Sequence, residues 1–152
     1  MESGTPSRDT AWAMSQENVE VVRRAFEEFL NAMERGDPGA LFDLEVVADD
    51  YEWIFFEGLE GRSVWRGREG FVEFVRTWTA EFDDWSIRLE RLIDAGDDQV
   101  VGLTVQSATG KGSGVPVELT IGQVYELEDG RVVRVRNYLT HAEALEAAGL
   151  RE

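Results

Sequence analysis

The chain has 152 residues, the length of a single domain, and a hydrophobic content of 43%, which excludes a disordered acidic chain. Its 15 basic and 31 acidic residues give a net charge of −16, which argues against nucleic acid and anionic membranes as partners because both attract clustered cations. The chain has no cysteine and one histidine, which excludes disulfides, thiolate nucleophiles and a histidine-pair metal site, so we expect neither a metal nor a cofactor.

The first thirteen residues are polar and contain no apolar segment typical of a signal peptide. We expect a flexible tail over 1–13, followed by one domain over 14–150 in which Ser15 caps the first helix. No stretch approaches the roughly 18 apolar residues of a membrane span, so a cytoplasmic location is expected.

Three helices are predicted in the first half of the chain. The first covers 16–35, ends at Gly36, and carries apolar residues at helical spacing: Val19, Val22, Phe26, Phe29, Leu30 and Met33. Asp37 and Pro38 start a second, short helix through residue 44. The third covers 68–82 and has one apolar stripe, formed by Phe71, Phe74, Val75, Trp78 and Phe82.

The strands follow a different period. Residues 51–56 are aromatic and β-branched, which predicts a strand, and the glycine-rich residues 57–67 predict a loop. From Trp85 the apolar residues alternate, with turns at 95–98, 109–114 and 128–130, and a capping box over 140–143 opens a short last helix. The predicted fold is α+β, with three helices packed on one face of a strongly curved antiparallel sheet.

Two amides lie in otherwise apolar rows of the predicted sheet. Gln123 shares its parity with Ile121 and Tyr125, and Asn137 shares its parity with Val133, Val135 and Leu139. A buried amide without partners costs about 1–3 kcal/mol. The two amides therefore either bond each other or form the polar floor of a pocket.

Other candidate groups surround these two amides. In the first strand Tyr51, Trp53 and Phe55 share one face, and Glu57 follows at the rim. His141 is the one imidazole, and its place in the capping box favours a role at the start of the helix over general base catalysis. Arg134, Arg136 and Tyr138 point to the opposite face of the sheet from Asn137.

Four segments resemble the SnoaL-like branch of the nuclear transport factor 2-like (NTF2-like) superfamily over residues 14–150: SQENVEVVRRAFEEFLNAMERGD, VWRGREGFVEFVRTW, LIDAGDDQVV and GQVYELEDGRVVRVRNYLTHAEALEAAGL. The resemblance implies a cone of curved sheet closed by three helices, an apolar pocket inside it and a homodimer through the outer sheet face, where Arg134, Arg136 and Tyr138 lie. It also implies a small hydrophobic ligand.

The superfamily includes ketosteroid isomerases, polyketide cyclases, limonene-epoxide hydrolases and scytalone dehydratases. The acid–base residues of these enzymes are not found at the matching positions of this chain. The tyrosine and aspartate of ketosteroid isomerases match Phe29 and Phe55, and the acid of the polyketide cyclases falls at or next to Gln123. The aspartate of limonene-epoxide hydrolases matches Asn137, while an earlier arginine and aspartate match Thr104 and Gln106. Scytalone dehydratases use two histidines, whereas this chain has one. An amide donates hydrogen bonds but is neither an acid nor a base.

Three interpretations remain open from the sequence. The first is a cofactor-free cyclase, isomerase or hydrolase in which Gln123 and Asn137 orient oxygens and Tyr51 or Glu57 carries the proton. The second is a non-catalytic binding protein with the same pocket. The third is a structural dimer whose cone is filled by its own side chains. The expected pocket wall consists of Phe29, Trp53, Phe55, Trp65, Trp78 and Tyr125.

Overall fold

The computed structural model describes residues 8–57 and 61–150, with side chains over 16–56 and 63–150. The helices are α1 (Arg8–Glu34), a 3₁₀ helix (Pro38–Asp43), α2 (Gly67–Glu81) and α3 (His141–Ala147). The strands are β1 (Val47–Glu57), β2 (Gly61–Arg66), β3 (Phe82–Gly96), β4 (Gln99–Gly110), β5 (Pro116–Leu119), β6 (Gly122–Glu128) and β7 (Arg131–Tyr138). Among the described residues no helix is long and apolar enough to cross a membrane.

The architecture is α+β, as predicted, but two details of the helices differ. Of the three helices predicted for the first half of the chain, the second is a single 3₁₀ segment rather than an α-helix. Helix α1 begins at Arg8 instead of after Ser15, because residues 8–15 contain no glycine or proline and include good helix formers. At the other end Gly36 has a φ of +69°, and the Asp37 amide donates to the Ala32 carbonyl, which closes the helix as predicted.

The sheet is mixed rather than antiparallel, which corrects the prediction. The strand order is β2-β1-β7-β6-β4-β3, and β5 pairs with β4 beside β6. All neighbours are antiparallel except β1 and β7, which run parallel. Strand β2 lies within the predicted loop 57–67, since its pairing with β1 satisfies the backbone of this glycine-rich segment.

Bulges bend the sheet and change which residues face the core. The register shifts between Glu126 and Leu127, so that Val132 is buried (1% exposed) whereas its neighbour Val133 is half-buried. Leu139, which the alternation assigns to the buried row, is 40% exposed. The alternation of the last strand therefore predicts Val135 and Asn137 correctly and fails on either side of them.

Helices α1 and α2 and the 3₁₀ helix close one face of the sheet, and α3 covers part of the other. The main core lies beneath α1 and α2, with Val22, Phe71 and Val135 among its most buried members. A smaller core joins α3 to β4 and β6 through Val101, Val124 and Ala144. The capping box of α3 is confirmed, because Thr140 Oγ1 accepts a hydrogen bond from the Glu143 amide at 3.1 Å.

Candidate functional site

The buried amides are adjacent in the sheet. Gln123 and Asn137 are directly paired across β6 and β7, and their side chains are 3% and 1% exposed. Gln123 Nε2 donates to Asn137 Oδ1 at 2.9 Å, and Asn137 Nδ2 donates to the Ile54 carbonyl of β1 at 2.9 Å. Tyr125 Oη donates to Gln123 Oε1 at 2.5 Å. This chain of bonds ties three strands together inside the apolar core.

In the part of the chain that the structure describes, two cavities of about 30 Å³ each flank the amides. We call the first the tyrosine cavity because Tyr51 and Tyr125 line it beside Gln123. The second, the amide cavity, is bordered by Gln106, Gln123 and Asn137. Phe29, Trp53 and Phe71 line both and separate them. A volume of this size holds about one or two water molecules.

Apart from its three amides, the described wall of the amide cavity is aromatic and aliphatic and has no ionisable side chain. These other lining residues are Phe29, Met33, Trp53, Phe55, Phe71, Phe74, Val75, Trp78, Trp85 and Ile87. The rings pack in tilted and edge contacts; for example, the Trp53 and Phe71 centroids are 5.3 Å apart. This cavity offers hydrogen bonds and apolar surface but no acid or base.

Among the described residues that line the two cavities, the titratable groups are Tyr51 and Tyr125. Burial raises the pKa of Tyr51 well above its ordinary value, and the neighbouring Tyr125 raises it further. Burial likewise raises the pKa of Tyr125. Both hydroxyls therefore stay protonated near neutral pH, a state in which a phenol can donate a hydrogen bond but cannot serve as a general base.

The predicted pocket residues fall into different places. Phe29 and Trp53 line both cavities, Phe55 and Trp78 line the amide cavity, and Tyr125 lines the tyrosine cavity. Trp65 is not among the residues that line either cavity, since it lies in β2 and its ring packs against Phe74 at 5.9 Å. The Glu57 side chain lies outside the described residues.

Gln106 is a lining residue that the parity argument missed. It is 8% exposed, and its Oε1 accepts a hydrogen bond from Trp85 Nε1 at 2.9 Å. Strand β4 is buried on both faces around residues 100–106, so its pattern does not show which face holds the cavity. The position did match an acidic residue in the resemblance to epoxide hydrolases, and that was the available signal.

Among the residues whose side chains the structure describes, three tryptophans carry buried indole donors without a partner. Trp53, Trp65 and Trp78 each have a buried Nε1 that meets no hydrogen-bond acceptor from these residues. All three rings contact Phe74, with centroids 5.4, 5.9 and 5.8 Å away. Such donors cost about 1–3 kcal/mol each, and they are concentrated around one wall of the amide cavity.

The single histidine bonds to the backbone of β4 and is not among the residues that line either cavity. His141 Nε2 lies 2.8 Å from the Thr104 carbonyl, and because a carbonyl only accepts, this nitrogen donates. The bond fastens the start of α3 to β4. Among the described residues no cluster of three or more histidine, aspartate or glutamate side chains could hold a metal ion.

The fold is α+β, with helices closing a bent mixed sheet over an interior that is bordered by carboxamides. The sequence profile of the SnoaL-like domain family matches residues 26–135, so the chain belongs to this family. A search of curated proteins finds no match.

Solved structures with NTF2-like folds resemble the chain over most of its length. An NTF2-like protein from Burkholderia thailandensis is 25% identical, with a TM-score of 0.65, covering 84% of this chain and 96% of that one. A candidate SnoaL-like polyketide cyclase from Jannaschia sp. CCS1 is 19% identical, with a TM-score of 0.66 and coverage of 99% and 100%. A phenazine biosynthesis-related protein from Pseudomonas aeruginosa is 16% identical, with a TM-score of 0.65 and coverage of 96% and 94%. The last two likenesses concern the fold alone.

Proposed function

We propose that the protein binds a neutral, largely apolar small molecule with an acceptor oxygen inside the cone, without proton transfer by the cavity side chains. The observation that supports this proposal is the lining of the amide cavity. Three carboxamides and seven aromatic side chains border it, and no ionisable group is among its described lining residues. Ligand sites of this type are mostly apolar with a few convergent polar groups.

The amides have hydrogen-bonding capacity left for a ligand. Each carboxamide nitrogen has two N–H donors, and the bonds to Asn137 and Ile54 use one each on Gln123 and Asn137. A carbonyl oxygen in the cavity can accept from the remaining hydrogens. Charge favours a neutral ligand, because a buried ion needs a counter-ion and the chain's net charge of −16 repels anions.

A ligand larger than water requires the rings to move. The cavity of about 30 Å³ is far smaller than the 300–1,000 Å³ of ordinary ligand sites. Trp53 and Trp78 can rotate without breaking an indole hydrogen bond to any side chain or backbone group that the structure describes. A ligand oxygen that reaches one of these donors also removes the cost of leaving it unpaired.

A thermal-shift comparison of two ligands of matched shape tests this function. Fluorene and 9-fluorenone are planar and nearly equal in size, and only the ketone has an acceptor oxygen. We expect both to stabilise the protein, the ketone more. Saturation at about 100 times Kd adds about 2.7 kcal/mol, which raises Tm by several degrees.

Gln123→Leu separates the polar contribution from the apolar one. It should reduce the shift given by the ketone and leave that of the hydrocarbon unchanged, each relative to the variant's own Tm. Gln16→Leu, on the exposed side of α1, is the matched control and should behave as wild type. Equal loss with both ligands, or no loss with either, contradicts the assigned role of Gln123.

The small cavity volume favours a second candidate, a structural protein whose cone is filled by its own side chains. That alternative predicts no thermal shift with either ligand or with steroids, polycyclic ketones, terpene epoxides and fatty acids. A panel without any shift therefore overturns the binding function.

We also propose a homodimer through the outer face of β1 and β7. There three arginines meet two glutamates: Arg134 bonds Glu52 and Glu126 at 2.9 and 3.0 Å, and Arg136 bonds Glu126 at 3.0 Å. Arg66 bonds Glu52 at 2.8 Å. Because these charges are already paired, two copies meet here without the repulsion expected from the net charge.

An aromatic pair lies beside this network. The rings of Phe56 and Tyr138 stack with centroids 4.8 Å apart, which gives the face an apolar contact area. Light scattering after size-exclusion chromatography should give twice the mass of one chain, and Tyr138→Glu should give the mass of one. A monomeric wild-type protein at micromolar concentration contradicts the dimer.

A further inference from the structure

We propose that the groove between the end of α1, the 3₁₀ helix and α2 is the entrance to the amide cavity, with Met33 and Val75 as its gate. The inference rests on the proposed function, since it assigns the route of the same neutral ligand. The groove has a volume of about 330 Å³ and is open at the surface. It is lined by residues of all three helical segments, among them Met33, Pro38, Val72 and Thr79, and by Gly36 of the turn after α1.

The groove and the amide cavity share a wall. Met33 of α1 and Val75 of α2 line both spaces, so these two side chains separate solvent from the interior. Met33 is half-buried, and a methionine side chain is unbranched, with three rotatable bonds. Rotation of this one side chain joins the groove to the cavity, and neither Met33 nor Val75 has a side-chain hydrogen bond to lose.

A second boundary of the amide cavity, at Trp78, Trp85 and Gln106, is closed more firmly. The space beyond it, which these three residues also border, is too narrow to admit a water molecule. The hydrogen bond from Trp85 Nε1 to Gln106 Oε1 at 2.9 Å crosses this end, and the Trp78 and Phe82 rings lie 5.0 Å apart there. Opening this end breaks a partly buried hydrogen bond and separates rings, whereas opening the groove end breaks neither.

The chemistry of the groove suits a neutral ligand. Its lining is mainly aliphatic, and the charged residue among its described lining residues, Arg76, is paired with Glu73 at 2.7 Å. An apolar molecule can therefore rest in the groove before it passes the gate. The groove then serves as an outer subsite with ligand preferences similar to those of the inner cavity.

Binding kinetics distinguish the two ends. Stopped-flow mixing of the full chain with 9-fluorenone, followed by quenching of tryptophan fluorescence, gives the association and dissociation rates. Thr79→Phe adds a ring to the groove without touching the amide cavity, and we expect both rates to fall by about tenfold while Kd stays within about twofold. Met33→Ala removes the gate and should raise both rates.

Val117→Phe is the matched control, because it adds the same ring at the closed end. It should leave both rates unchanged. Entry through the groove is overturned if Val117→Phe slows binding and Thr79→Phe does not, or if all three variants bind at the wild-type rate. If the wild-type protein shows no equilibrium binding to any ligand of the panel, the proposed function fails and the entrance fails with it.

Discussion

The bonds among Tyr125, Gln123 and Asn137 give the sharpest test of the site's structure. Gln123→Leu keeps the approximate shape of the side chain but removes an acceptor from Tyr125 and a donor from Asn137. Both partners are buried, at 6% and 1% exposure. Each buried polar group that is left without a partner costs about 1–3 kcal/mol, which gives about 2–6 kcal/mol for the two groups.

The lower end of this range applies because the cavities beside Gln123 have room for a water molecule that can partly replace the lost bonds. We therefore expect Gln123→Leu to lower the free energy of unfolding by about 2 kcal/mol. With an m-value of about 1–3 kcal/mol/M, the urea midpoint falls by about 1 M. The measurement is urea unfolding followed by circular dichroism.

A double-mutant cycle checks the cause of the loss. Tyr125→Phe removes the hydroxyl that loses its acceptor in Gln123→Leu. The double variant should therefore be more stable than Gln123→Leu alone, by about 1 kcal/mol. Gln16→Leu, which is exposed, should change stability by less than about 0.5 kcal/mol. Additive losses in the cycle, or a Gln123→Leu protein as stable as wild type, refute the reasoning.

Two further predictions concern the tyrosines and the packing of α3. Burial raises the folded-state pKa of Tyr51 and Tyr125. The stability that their burial contributes is therefore fully present below the unfolded-state pKa of about 10 and is lost as the pH rises above it. Absorbance at 295 nm should show their ionisation only as the protein unfolds, and a phenolate signal from them in the folded protein would contradict this burial. A Cβ added at Gly122 would lie 2.5 Å from Ala144 Cβ of α3, so Gly122→Ala should lower stability by about 1–3 kcal/mol in urea unfolding, and a loss below about 0.5 kcal/mol would show that α3 shifts freely.

The sequence determined the features that depend on local periodicity. Alternation placed Tyr51, Trp53 and Phe55 on one buried face of β1, and all three are at most 9% exposed. It also placed Gln123 and Asn137 in apolar rows of neighbouring strands, where they are directly paired. These predictions succeed because side chains of a strand alternate strictly between faces when no bulge intervenes.

Features that depend on distant parts of the chain were decided by the tertiary structure. The parallel pairing of β1 with β7 joins residues more than eighty positions apart, and it brings the Ile54 carbonyl to Asn137. The bulge after Glu126 turned Val132 inward, against the simple alternation. Neither event has a local signal, because both arise from fitting a twisted sheet around the core.

The size and the boundaries of the interior were also decided only in three dimensions. The sequence predicted aromatic residues for a pocket wall. The volumes of these side chains do not reveal that they leave two spaces of about 30 Å³ beside Trp53, or that Gln106 is the third carboxamide at the amide cavity. Close packing depends on the rotamers and approach of several elements at once. Local periodicity therefore fixed which residues face inward, and the packing of α1 and α2 against the bent sheet fixed the space left between them.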